Sequence, residues 1–138
     1  MTSEPLVIGR LIDGKPGHMQ QSLGLVRALQ ALVSCEVLDI DVASQPVGLL
    51  DLFLRRFPGG FMKRRPHLVV GAGHATHFGL LAAKRVTGAC TVVLMKPSLP
   101  QFLFDLMIVP EHDDMPPGPR VITTRGVLNP MRPGIKQA

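Results

Sequence analysis

Three short segments hold most of the side chains with chemical capability. The first, Asp13-Gly14-Lys15-Pro16-Gly17-His18, joins an apolar run to a helix-like pattern. Gly14 and Gly17 tolerate backbone angles closed to other residues and let a ligand come close to the chain. The free N–H groups where the next helix starts favour an anion. Asp13, Gly14, Lys15, Gly17 and, further into the helix, Gln21 are therefore candidate ligand contacts. The loop has neither the G-x-G-x-x-G of a dinucleotide fingerprint nor the G-K-[ST] of a P-loop. Taken alone, it reads as a tight strand-to-helix corner with a solvent-facing His18.

The second segment, GAGHATHFG at 71–79, is another glycine loop between a strand and a helix. Gly71 and Gly73 have the spacing to cradle a phosphate, and Thr76 can cap the helix or bind a ligand. His74 and His77 are three residues apart, close enough to form a metal pair with Asp113. That reading is the weaker one, because no H-E-x-x-H is present and no third ligand has fixed spacing. Polar histidines at a helix start account for the pattern, and no metal or cofactor is expected.

The third segment, PEHDD at 110–114, follows an apolar run. Glu111, His112 and Asp113 can supply a base with its orienting carboxylate, or simply a solvated turn. Ser98 lacks a nucleophile-elbow context, which argues against a Ser-His-Asp hydrolase.

These loops need elements to hold them. LVIGRLI (6–12) reads as an apolar strand, and the apolar spacing from Met19 to Val33 as a helix. EVLDIDV (36–42) is a second strand, and VGLLDLFLRRF (47–57) a short amphipathic helix ended by Pro58-Gly59-Gly60. HLVVGAG (67–73) is a third strand and His74 to Val86 a second full helix. CTVVLMK (90–96), LMIVP (106–110) and RVITT (120–124) complete the strands. Such alternation predicts an α/β fold, doubly wound, with a mostly parallel sheet flanked by helices. In such sheets ligands bind at the carboxyl ends of the strands, where the winding reverses. The loops at 13–18, 71–77, 96–101 and 110–114 all fall there. Residues 1–125 form one domain, and the Pro- and Gly-rich 126–138 read as a linker-like tail.

Composition narrows the class. With 46% apolar residues over 138 positions, a real core is available and a disordered tail is excluded. The longest charge-free stretch, Pro66 to Ala83, contains three histidines and three glycines and is a poor membrane span. MTSEPLVIGR has no basic region before its apolar residues, so no secretory leader is expected. Cys35 and Cys90 form no C-x-x-C pair and read as reduced, half-buried thiols of a cytosolic protein.

The net charge of +5 is unevenly placed. No acidic residue lies between Asp51 and Asp105, an interval holding eight lysines and arginines. One side of the domain should face an anionic partner. The segment 47–65 mixes leucines and phenylalanines, Phe61 among them, with Arg55, Arg56, Lys63, Arg64 and Arg65. That composition suits an anionic membrane surface, or equally a packed helix with solvated charges. Nucleic acid is disfavoured, because Trp and Tyr are absent and the phenylalanines sit in apolar company.

The segments DGKPGHMQQSLGLVRAL, GAGHATHFGLLAAKR, VVLMKPSLPQFLFDLMIVPEHD and VITTRGVLNP follow the order found in the mitochondrial-fission "elongated mitochondria" family. The chain resembles that family from residue 6 to about residue 131. FDLMIVPEHD is the most specific part. The family in turn resembles GT-B glycosyltransferases, which have two Rossmann-like halves around a cleft.

By that resemblance the chain is the N-terminal, acceptor-side Rossmann-like half of a GT-B-like protein. Gly14, Gly17 and His18 match a Gly-x-x-Gly-His loop of such a half, and RGVLNPMRPG its closing strand and linker. The likeness implies that His18 is a candidate general base near the acceptor hydroxyl and that 47–65 docks on the membrane. It also implies a nucleotide-sugar donor, a lipid-linked acceptor and a cytoplasmic location at the inner membrane face. The second half, with most donor contacts, is absent, so the isolated chain is expected to be catalytically incompetent. The alternative is a non-catalytic scaffold module that binds membranes or partners. A third reading is a nucleotide-binding half completed by a homodimer partner.

Overall fold

The computed structural model describes residues 4–44, 47–54, 65–95, 97, 99–110 and 118–124. Six strands form one sheet: β1 (Leu6–Ile12), β2 (Cys35–Asp41), β3 (Leu68–Ala72), β4 (Cys90–Leu94), β5 (Leu106–Pro110) and β6 (Val121–Thr124). Their order is β2-β1-β3-β4-β5-β6, and every neighbouring pair is parallel. Among the described residues three α-helices accompany them: α1 (Pro16–Gln30), α2 (Leu49–Phe53) and α3 (His77–Thr87). The expected doubly wound, Rossmann-like α/β arrangement is present, and the sheet is wholly parallel.

Both faces of the central strands are covered, which is why they read as unbroken apolar runs. Leu25 and Val26 of α1 pack with Ile8, Val70, Val92 and Ile108 on one face. Leu80 to Ala83 of α3 pack with Leu11, Val69, Val93 and Phe104 on the other. The chain moves outward from β1 to β2, then returns past β1 to β3 and continues to β4. With right-handed crossovers, that reversal puts α1 and α3 on opposite faces. It leaves a gap between the loops after β1 and β3, and this is the switch point.

Helix boundaries differ from the sequence pattern in instructive ways. α1 begins at Pro16 rather than Met19, because proline needs no N–H partner at the first position. His74–Thr76 form a separate 3₁₀ turn before α3, which then ends at Gly88 in the left-handed region. α2 covers only part of 47–57 among the described residues. Cys35 is half-buried as expected, but Cys90 is exposed, because it opens β4 at the sheet's amino-terminal edge. At that edge Asp105 accepts from Lys84 Nζ at 2.8 Å and from the Thr91 N–H at 2.9 Å. Burial works against the Asp105 charge, yet these bonds outweigh it and hold the carboxyl below its ordinary range.

Candidate functional site

The two glycine loops meet at the switch point. Asp13 follows β1 directly, and its side chain is only 1% exposed. Its Oδ1 accepts the Lys15 N–H at 3.0 Å, and its Oδ2 lies 2.6 Å from His18 Nδ1. A carboxylate that accepts this contact pairs with the tautomer in which Nδ1 carries the proton and donates the hydrogen bond. Nε2 then keeps the ring's free lone pair, in an imidazole 22% exposed. A carboxylate that fixes the tautomer and orientation of a histidine is the arrangement that prepares a general base.

The loop after β3 closes against this pair. A Cβ on Gly73 would overlap the His18 ring and lie 3.1 Å from Asp13 Oδ2. Gly73 also has φ +94°, which L side chains rarely adopt. Glycine is thus needed twice over at this position. A Cβ on Gly71 would meet Thr76 Oγ1 at 2.6 Å. Here the space left by a missing side chain is filled by the protein's own Thr76. That residue is fully buried and donates from Oγ1 to the Gly73 carbonyl at 2.8 Å. It does not cap α3 through its side chain.

Further along the same edge, Gln21 is buried and donates from Nε2 to Met95 Sδ at 3.5 Å. Met95, directly after β4, has φ +76° and is the one non-glycine residue in the left-handed region among those described. Such strain recurs at functional positions. Gly14, Lys15 and Gly17 are exposed around the pair, and a Cβ on Gly17 would meet nothing within 4 Å. This is the open part of the rim.

His74 is exposed and His77 is 3% exposed, with their rings 5.5 Å apart. His77 lies against Phe104, and burial, then the neighbouring His74, lowers its pKa to about 4. It is a neutral core histidine at physiological pH. No cluster of three metal-ligating side chains occurs among the described residues. Glu111, His112 and Asp113, which follow β5 in sequence, lie outside the described residues. Arg55, Arg56, Phe61, Lys63 and Arg64 also lie outside them. Arg65 is exposed before β3, at the opposite end of the sheet from His18.

Sequence reasoning passed over Arg10. It sits inside β1 with 6% exposure and makes three charge-assisted bonds. Nε donates to Ser22 Oγ at 2.9 Å, Nη1 to Asp39 Oδ2 at 3.1 Å and Nη2 to the Met19 carbonyl at 2.8 Å. The signal was one charge in an apolar strand, with an aspartate in register on the next. A groove of about 210 Å³ opens beside it between α1 and β2. That volume is below the roughly 300–1,000 Å³ of usual ligand sites, and the guanidinium is already engaged.

Residues 16–138 match the family described as Mitochondrial fission ELM1. The chain belongs to that family. No curated protein and no solved structure gives a significant match. The match takes in α1, with His18 and Gln21, and the loop at 71–76, so both sides of the switch-point cluster except Asp13, Gly14 and Lys15 lie in the family region. Among the described residues, no helix is long and apolar enough to cross a membrane.

Proposed function

We propose that this ELM1-family domain is the acceptor-side half of a GT-B-like glycosyltransferase, with His18 as the general base. The observation that carries the reading is the Asp13–His18 pair, seated against Gly73 at the switch point of a parallel sheet. Open α/β sheets bind ligands there.

In the reaction, His18 Nε2 takes the proton of an acceptor hydroxyl as its oxygen forms a bond to the anomeric carbon of the donor sugar. The bond from that carbon to the nucleotide phosphate breaks, and the nucleoside diphosphate leaves. Asp13 stabilises the imidazolium that results. Lys15 and the α1 N-terminus supply positive potential to an anionic group at the rim. Donor contacts come from a second domain or a second copy. The acceptor is lipid-linked, and the domain works at the inner face of the membrane.

Transfer from a panel of nucleotide sugars onto lipid-linked acceptors, measured with a donor-side domain present in the same polypeptide, tests this reading. Activity with one donor, and acceptor-induced NMR shifts concentrated at 13–21 and 73–76, are the expected results. No transfer together with no shifts at those loops would contradict it. One observation favours a second reading, a scaffold that docks on membranes without catalysis. Leu50, Phe53 and Leu54 are all more than half exposed on and just after α2, and arginines follow in sequence.

A further inference from the structure

Arg10 occupies a position where an aliphatic residue would pack. It lies on the α1-facing side of β1, two residues from the fully buried Ile8. Burying a guanidinium is costly, and apolar replacements of buried ion pairs are often neutral or stabilising. Stability alone therefore gives weak reason for an arginine here. What arginine supplies that leucine cannot is direction: a rigid planar fork with donors in fixed relation.

The fork ties three elements together. It reaches Asp39 on β2, Ser22 on α1, and the carbonyl of Met19, the residue after His18. Ser22 Oγ donates to the same Met19 carbonyl at 3.1 Å, so two donors converge on the peptide group next to the candidate base. His18 is thus held on its ring by Asp13 and Gly73 and on its backbone through Met19.

We infer that Arg10 is the positioning residue of His18: it fixes the first turn of α1 so that Nδ1 stays on Asp13. The inference rests on reading His18 as the base. Asp39, half exposed, completes the device by holding the guanidinium from the β2 side.

Long-range ¹⁵N–¹H NMR of the His18 imidazole tests this in the whole chain. Wild type should show one tautomer, with a sharp Nδ1–H resonance. Arg10→Met should keep the fold by thermal melting yet lose that resonance and populate the Nε2–H tautomer as well. Arg10→Lys, with the charge but not the fork, should restore it only in part. Should Arg10→Met fail to fold, Asp39→Asn at the exposed partner should broaden the same signal. An unchanged Nδ1–H signal in a folded Arg10→Met, or in Asp39→Asn where Arg10→Met does not fold, overturns the inference and leaves the base reading standing. A wild-type His18 without the Nδ1–H tautomer, or one that Asp13→Asn leaves unmoved, overturns both.

Discussion

His18 has one ring nitrogen committed to Asp13 and one left for chemistry, and each neighbour of the ring can be changed singly. Asp13→Asn keeps the shape but offers the ring a donor as well as an acceptor, so the tautomer is no longer fixed. In a parent that carries the donor-side half it should lower transfer by about 10²–10⁴-fold with little change in Tm, measured by initial rates beside thermal melting. Gly73→Ala should do more to the fold, since it meets both a forbidden backbone angle and the His18 ring. A loss of about 2–4 kcal/mol in denaturant unfolding is expected. Of this cluster, the loop, the glycines and His18 were legible in the sequence because each type has a known local use. The pairing of Asp13 with His18 was not, because Asp13 reads equally well as a ligand contact or a turn residue. The role of Gly73 was hidden further, since its need for no side chain comes from a ring 55 positions away in sequence.

At the scale of elements, periodicity fixed the strands well, because a parallel sheet buried on both faces leaves continuous apolar runs. It missed Arg10 for the same reason: a strand judged by its apolar majority hides a lone buried charge. α3 shows the opposite case, with a histidine that looks functional and is core. His77 has a folded pKa near 4, below its ordinary 6.5. Between those values the unfolded chain takes up a proton that the fold refuses, so stability falls on acidification through that window. Thermal melts from pH 7 to 4.5 should show this loss, and His77→Leu should flatten it. Asp105 acts separately: its lowered carboxyl gives stability that is full above 3.8 and is lost only in stronger acid.

For the whole molecule, the winding reversal between β1 and β3 brings His18 and Gly73, 55 positions apart in sequence, onto one small site. Neither loop predicts the other from its own residues, so the assembled site needed the fold. The exposed leucine and phenylalanine side chains of α2 belong to this scale too. Leu50→Ser with Phe53→Ser should reduce co-sedimentation with anionic vesicles at low salt by several-fold, leaving the melting temperature within about 2 °C. Equal sedimentation of variant and wild type would remove α2 from any membrane face. The central claim, that this sheet edge is a transferase acceptor site run by His18, is most directly tested by one rate. Sugar transfer by His18→Ala in a parent that carries the donor-side half, compared with the same parent unmutated at matched thermal stability, should fall by about 10²–10⁴-fold. An undiminished rate would contradict the claim.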